Sequence, residues 1–235
     1  MNELLLILTL IFVFATILIT YYKLGKYGLI ALSAILPIIA NIEVTVLVTA
    51  FGITQALGNM IFAGSYVISD ILAENEGKKY AKKSVYAGVV GLLFFFPLTF
   101  IWQFYSADNV ELFNHFKEIF SNTPRIVIAS ITAYFISDRL DVKLYFKFWK
   151  FTKKIFKDDK KGLWIRNNTS TLISQLINNT CFTLIAFYGV YDLSTLLSIG
   201  ASAYAIYIFT SLLDTPVVYI ARKISRRTKQ EVGAM

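Results

Sequence analysis

The stretch Thr169-Ser-Thr-Leu-Ile-Ser-Gln-Leu-Ile-Asn-Asn-Thr-Cys-Phe-Thr-Leu-Ile-Ala-Phe-Tyr-Gly189 decides the fold class. It is long enough to cross a bilayer as a helix, yet its first half is rich in hydroxyl and amide side chains. Ser170, Ser174 and Asn178 follow one another at intervals of four residues, so they share one helical face. Because lipid cannot satisfy polar groups, we expect this stripe to face partner helices or a wet cavity.

The composition of the whole chain supports a membrane protein. Of the 235 residues, 56% are hydrophobic and only 16% are charged, and the mean hydropathy is +0.60. A soluble domain carries roughly 25% charged residues. The apolar residues here form long continuous runs. The sequence therefore predicts an all-α, polytopic membrane helix bundle that forms a single integral membrane domain over residues 1–235.

The apolar runs predict about seven membrane spans, because each run is close to the roughly 20 residues that a helix needs to cross the hydrocarbon core. The first has no basic segment before it and no cleavage site, so we expect an anchor and no removable signal peptide. The predicted spans are 3–22, 27–49, 54–73, 80–104, 124–147, 167–189 and 194–221. The loop at 105–123 is expected to form a short surface helix.

Basic residues follow every second span and give the chain a net charge of +8. By the positive-inside rule, this alternation places the N-terminus outside and the C-terminus in the cytoplasm of a multi-pass protein of the cell membrane. The cations thus orient the protein at the lipid bilayer, and no nucleic-acid partner is expected. They are Lys23, Lys26, Lys78, Lys79, Lys82, Lys83, Lys143, Lys147, Lys150, Lys153, Lys154, Lys157, Lys160, Lys161, Arg166, Arg222, Lys223, Arg226, Arg227 and Lys229, against Lys117 and Arg125 on the other side.

Metal and cysteine chemistry is excluded by the residue counts. Cys181 is the single cysteine and His115 the single histidine, so neither a disulfide nor a Cys- or His-based metal site can form within the chain. We expect no metal and no cofactor.

Polar groups at membrane depth are costly, and they are therefore the candidate substrate-binding residues. Gln175 and Asn178 stand out because two amides near the midplane, one turn apart, need several hydrogen-bond partners. The full candidate set is Asn41, Glu43, Asp70, Asp138, Asp141, Ser170, Ser174, Gln175, Asn178 and Asp214. Carboxylates, amides and aromatic rings together suit a small, flat, polar solute such as a heterocycle.

Several of these residues also have a purely architectural interpretation. Arg139, inside the fifth span, is expected to pair with one of the acids, and Asp70 and Asp141 are candidates for that role. Small residues such as Ser170 and Ser174 allow helices to approach closely. Glu74 is interpreted as a residue at a helix end beside a basic loop.

Three ordered motifs resemble the VUT family, the queuosine precursor transporters. The segment Asp70-Ile-Leu-Ala-Glu-Asn-Glu-Gly-Lys-Lys-Tyr-Ala81 is similar to the D-x-x-x-E-x-x-G-x-x-x-A stretch of that family. The segment Asp138-Arg-Leu-Asp-Val142 is similar to its Q-x-x-D-V helix. The segment Arg166-Asn-Asn-Thr-Ser-Thr-Leu-Ile-Ser-Gln-Leu-Ile-Asn178 is similar to its R-N-x-x-S-T-x-x-S-Q-x-x-D signature. The motifs lie between Asn41 and Tyr188, and we assign residues 41–221 to the family region, which leaves the first span as an added helix.

The resemblance implies a six-helix core and import of a 7-deazaguanine precursor of queuosine: preQ0, preQ1 or queuine. The chain departs from the family at two positions, with Asn178 where the family has Asp and Asp138 where it has Gln. One hypothesis is that the acid that contacts the base has moved from the sixth span to the fifth. Another is that specificity has shifted, for instance toward queuine or the aminomethyl form, or that proton coupling has changed.

Two further classes of function remain open at this point. One is a substrate-binding subunit of a multi-component transporter for another small heterocycle, with a separate ATPase module as a partner. The other is an intramembrane enzyme with a carboxylate dyad drawn from the buried acids. A purely structural subunit, in which the polar stripe only joins helices, is a weaker reading. The leading interpretation is a non-enzymatic carrier whose partners are a deazapurine base and the bilayer, with a homo-oligomer possible.

Overall fold

A computed structural model describes residues 1–44, 46–120 and 124–233, with side chains described up to residue 226. The side chains of Arg227 and Lys229 therefore lie outside the described part. The chain forms a helix bundle with one small β-hairpin, and the predicted all-α membrane helix bundle is confirmed. The elements are α1 (Asn2–Glu43), β1 (Leu47–Ala50), β2 (Ile53–Ala56), α2 (Asn59–Asn75), α3 (Lys78–Trp102), α4 (Val110–Phe120), α5 (Pro124–Phe156), α6 (Leu163–Phe187) and α7 (Leu193–Gly233).

Helix α1 folds back on itself at Gly25, so it supplies two antiparallel arms, residues 2–24 and 26–43. Gly25 has φ 61° and ψ −151°, a conformation that is essentially restricted to glycine. Asn2 at the start of the first arm donates a hydrogen bond to the Thr49 carbonyl, 3.0 Å away and just beyond the end of the second arm. These arms correspond to the first two predicted spans.

The hairpin β1–β2 corrects the prediction for the second and third spans. The predicted spans place residues 47–49 and 54–58 in helices, whereas the structure has two antiparallel strands and the connection to α2 there. The turn is made by Phe51 and Gly52, which both have positive φ (53° and 73°), as a two-residue hairpin turn requires. The flanking valine, isoleucine and threonine residues are β-branched and favour a strand in a run too short to be told from a helix by hydropathy.

The basic connections meet at one end of the bundle, which we call the basic end. Lys26 lies 3.9 Å from Glu76 after α2, and Arg222 on α7 donates to the Lys160 carbonyl at 2.8 Å. The opposite, or hairpin, end holds β1–β2, the first residue of α1 and the connection from α6 to α7. Each helix from α5 to α7 therefore runs between the same two ends, in alternating direction. Which end faces the cytoplasm stays a prediction.

Among the residues that the structure describes, three helices are long and apolar enough to cross a membrane by length and composition alone: α1, α3 and the Leu193–Arg226 part of α7. Helices α4 and α5 would make a fourth if the bent pair is one span. Helix α2 has 17 residues, and α6 is too rich in amides and hydroxyls. The surface helix predicted in the loop at 105–123 is confirmed as α4, which has no buried residue in the described chain.

Candidate functional site

A cavity of about 760 Å³ lies in the half of the bundle near the hairpin end. Its wall is built from the second arm of α1, the hairpin, and α2, α3, α5, α6 and α7. This volume falls in the range of small-molecule sites. The lining residues are Ala40, Asn41, Val44, Leu47, Gly52, Ile53, Thr54, Gln55, Ala56, Gly58, Asn59, Phe62, Leu92, Ile126, Ser130, Ala133, Tyr134, Asn178, Asn179, Phe182, Thr183, Phe187, Tyr191, Ser198, Ile199, Ser202, Ala203 and Tyr207.

Five side-chain amides from four elements converge on this cavity: Asn41, Gln55, Asn59, Asn178 and Asn179. All of them except Asn59 are buried, with exposed fractions of 5–8%. Because an amide carries both donors and an acceptor, such a ring can read a solute edge that presents both kinds of group. Buried amides at membrane depth are expensive unless they find partners, so a polar solute is the expected occupant.

Hydrogen bonds to α7 hold two of these amides in fixed orientations. Asn59 accepts a hydrogen bond from the Tyr207 hydroxyl at 3.1 Å, which joins α2 to α7. Asn179 donates to the Gly200 carbonyl at 2.6 Å, which joins α6 to α7. Held in this way, the side chains do not have to be ordered when a solute binds, and this lowers the entropic cost of binding.

Two buried polar atoms on the cavity wall have no hydrogen-bond partner within the described chain. They are Oε1 of Gln55 and Oγ1 of Thr183. An unmade hydrogen bond of a buried polar atom costs roughly 1–3 kcal/mol.

Aromatic rings supply the apolar part of the wall. Phe62 and Tyr134 lie edge to face, with their ring centroids 5.9 Å apart, and Phe182 and Tyr207 add rings from α6 and α7. Rings of this kind bind a planar heterocycle through its faces, while the amides bind its edge.

Beneath the cavity lies a cluster of four buried acids, which we call the acid cluster: Asp70, Asp138, Asp141 and Asp214. Asp70 interacts electrostatically with the other three. None of the four lines the cavity. No group of three His, Cys, Asp or Glu residues that could hold a metal ion occurs in the described ranges.

Hydrogen bonds tie the acid cluster to neighbouring helices. Thr171 on α6 donates to Asp70 at 3.0 Å, and Ser69 on α2 donates to Asp141 at 3.1 Å. Similarly, Asn167 on α6 donates to Asp214 on α7 at 2.7 Å. These contacts join α2, α5, α6 and α7 through polar groups, as is typical of membrane bundles.

Asn178 connects the cavity with the interior beneath it. Its Nδ2 donates to the Ser137 hydroxyl at 2.9 Å, and that hydroxyl also accepts from Tyr66 at 3.0 Å. Asp138 follows Ser137 in sequence and lies beside the Tyr134 hydroxyl, which belongs to the cavity wall. The two positions at which the chain departs from the family signature therefore lie close together, where α5 meets α6.

The structure places the predicted site residues at different depths relative to the cavity. Asn41 and Asn178 line the cavity, whereas the four acids form the layer beneath it. Ser170, Ser174 and Gln175 are buried on the polar face of α6 below Asn178, and Ser170 and Ser174 lie within reach of Asp141. Glu43 is half-buried and lies outside the cavity wall.

The expected ion pair of Arg139 is wrong. Arg139 is exposed, makes no salt bridge with a described acid, and lies 5.0 Å from the Phe135 ring centroid. The buried ion pair is instead between Glu74 and Arg166, whose side chains are 2% and 0% exposed. Glu74 lies near the end of α2, as expected, but its side chain is buried in this ion pair. A guanidinium on the outer face of α5 can reach lipid headgroups, whereas a buried one needs a carboxylate.

Sequence reasoning missed several wall residues: Gln55, Asn59, Asn179, Thr183 and Tyr207. The signal that could have found the first three is the amide group itself, since each lies in or beside a predicted span. The sequence does not predict that these residues come together at the hairpin end.

An amide-rich cavity inside a bundle of membrane helices is typical of a membrane transporter. Comparison with known families agrees, because residues 56–221 match the family model described as "Putative vitamin uptake transporter". The chain belongs to this family and is a multi-pass membrane transporter.

A relative from Bacillus subtilis (strain 168), named "Probable queuosine precursor transporter", is 34% identical over 215 residues, which cover 90% of each chain. No solved structure matches this chain.

Proposed function

We propose that this protein imports a 7-deazaguanine precursor of queuosine across the cell membrane and binds it in the cavity near the hairpin end. The observation that carries the proposal is the ring of five amides among aromatic side chains, because this set matches a planar purine-like base. The name of the Bacillus relative and the three signature motifs support the identity of the base.

The unpartnered wall atoms indicate how the base would be recognised. A guanine-type edge presents adjacent N–H donors and a carbonyl acceptor. Gln55 Oε1 and Thr183 Oγ1 can accept from such donors, while Asn178 Nδ2, which gives one hydrogen to Ser137, has a second hydrogen that can donate to a carbonyl. A site built to pair these groups discriminates strongly against a ring that lacks them.

The position of the cavity suits uptake. With the predicted orientation, the hairpin end faces outside and the basic end faces the cytoplasm. The cavity is then on the side from which the base arrives, and the Glu74–Arg166 pair and the acid cluster fill the path to the cytoplasm. Import would require these inner contacts to rearrange, as in alternating access.

An uptake assay tests the proposal. A bacterial strain that cannot make deazaguanines, expressing this protein, should accumulate labelled precursor, and the Gln55→Leu and Thr183→Val variants should accumulate at least tenfold less. Neither wall atom has a protein partner to lose, so both variants should fold. The matched control is Ser65→Ala, which removes a buried, unpartnered hydroxyl outside the cavity wall. Equal accumulation with and without the protein would refute the proposal.

The remaining candidate classes make different predictions for purified protein. A self-sufficient carrier moves the base into liposomes alone, whereas a substrate-binding subunit binds it but needs an ATPase partner for transport. The buried acids keep the enzyme alternative open, and conversion of the base or of a lipid by purified protein would favour it.

A further inference from the structure

The wall of the cavity carries no charged side chain within the described chain. It contains amides, hydroxyls and aromatic rings, but no Asp, Glu, Lys, Arg or His. We propose that the cavity selects an uncharged base, so that among 7-deazaguanines it takes one with a neutral nitrile substituent and rejects one with a cationic aminomethyl arm. This inference rests on the proposed function and specifies its substrate.

The physical reason is the cost of burying an ammonium group without a counter-ion. Even on insertion scales, which give the smallest values, a charge at the centre of a membrane helix is strongly disfavoured. A cationic arm would leave water and find only amide and hydroxyl dipoles on this wall. A nitrile has no charge to desolvate, and its nitrogen accepts a single hydrogen bond from an amide or hydroxyl.

No carboxylate lines the wall to compensate for this, and Asp138, behind the wall, already accepts a hydrogen bond from the hydroxyl of the wall residue Tyr134. The four acids are at most 2% exposed and stay out of the wall, and three of them already accept hydrogen bonds from Thr171, Ser69 and Asn167. Asn178 forms the wall at the position where the resemblance implies an acid. This departure from the family signature thus puts an uncharged amide on the wall where the resemblance implies a carboxylate.

The charged groups that neighbour wall residues in sequence are not part of the cavity lining. Glu43 lies three residues after the wall residue Ala40 on the same side of α1, but its half-buried side chain does not line the cavity. Arg125 precedes Ile126, but its guanidinium donates to the carbonyls of Ile185 and Tyr188 on α6 and the following loop. The wall therefore remains uncharged around its circumference.

Binding of three matched ligands to the purified protein tests the inference. They share the 7-deazaguanine ring and carry a nitrile, a neutral hydroxymethyl or a cationic aminomethyl group. We expect the nitrile and hydroxymethyl forms to bind within about tenfold of each other, and the aminomethyl form about 100-fold more weakly, which is about 2.8 kcal/mol at 1.4 kcal/mol per tenfold. Aminomethyl binding as tight as nitrile binding would overturn the inference. If none of the three binds, the proposed function itself fails.

A charge placed in the wall should reverse the selection. Asn59→Asp keeps the size of the side chain and the acceptor for the Tyr207 hydroxyl, and it adds a carboxylate to the cavity. The nitrile-to-aminomethyl ratio should fall at least tenfold. The control Asn109→Asp adds the same charge at the exposed start of α4 and keeps the acceptor for the Leu112 amide, so the ratio should not change. An unchanged ratio in Asn59→Asp, with the nitrile base still bound, would contradict the inference.

Discussion

Removal of the Glu74 carboxylate tests whether the buried ion pair at the basic end stabilises the bundle. Arg166 contacts Glu74 through Nη2 at 2.7 Å and Nε at 3.0 Å, and Tyr145 donates to the same carboxylate at 2.6 Å. Glu74→Gln would leave a guanidinium that is 0% exposed without its counter-charge. Breaking a buried pair in this way costs about 3–5 kcal/mol, or roughly 6–20 °C in Tm for a chain of this length.

An exposed pair of equal length provides the matched control. Lys153 and Asp159 also lie 2.7 Å apart, but their side chains are 60% and 58% exposed. Lys153→Gln should cost at most about 1 kcal/mol, because water screens the pair. Both variants can be compared by thermal unfolding of the purified protein in one detergent.

A double variant separates the loss of the pair from the stranded charge. Glu74→Gln with Arg166→Gln removes the fully buried guanidinium together with its counter-charge and leaves only Arg222, which lies 3.4 Å from Glu74 and is partly exposed. Its destabilisation should therefore be less than the sum of the two single changes. If Glu74→Gln and Lys153→Gln shifted Tm equally, burial would not govern these pairs and the reasoning would be wrong.

Three further predictions concern the backbone and the ends of helices. Gly88→Ala should lower both Tm and base binding, since a Cβ there would lie 2.0 Å from the hydroxyl of the wall residue Tyr134. The control Gly200→Ala should be tolerated, because the added Cβ would have no atom closer than 3.6 Å. Gly25→Ala should cost roughly 1–3 kcal/mol in unfolding free energy through backbone strain alone, because no atom lies within 4 Å. Hydrogen bonds from Ser194 and Thr195 lower the pKa of Asp192 to about 2. The stability that the Asp192 carboxylate gives to the start of α7 should therefore persist above about pH 4 and disappear as the pH falls toward 2. Hydrogen exchange of the first amides of α7 should follow that titration in the native protein and not in Asp192→Ala.

The parts of the fold that could be predicted are those with local causes. The polar face of α6 can be read from its four-residue spacing, and the structure buries Ser170, Ser174 and Asn178 as that spacing requires. The alternation of basic loops likewise predicts which helix ends lie together, because each loop carries its own charge. Composition alone is enough to predict the membrane bundle.

The hairpin and the ion pair depend on information that hydropathy lacks. Residues 47–56 are as apolar as the helices beside them, and the positive φ of Phe51 and Gly52 leaves little trace in hydropathy. Glu74 and Arg166 are 92 residues apart, so no local pattern connects them. The sequence shows that an intramembrane charge needs a partner, but it does not show which one.

The wall of the cavity was harder to predict than its chemistry. The residue types predict a small, planar, polar solute, but Gln55 and Thr183 meet on one cavity wall only because the hairpin and the end of α6 nearest to it enclose the same space. In a single sequence, acids inside a membrane span are a stronger sign of a binding site than amides are. Here the acids lie in the layer beneath the amides and do not line the cavity.

The fold-back of α1 decides where this protein can be labelled. Asn2 bonds the Thr49 carbonyl and Glu3 accepts from the Phe51 amide, so residue 1 is held against the hairpin that covers the cavity. An affinity tag or fluorescent protein fused there would crowd the mouth of the site and compete with solute entry. The end of α7 lies beyond Arg222 at the basic end, far from that mouth, and a fusion at this end should leave uptake intact.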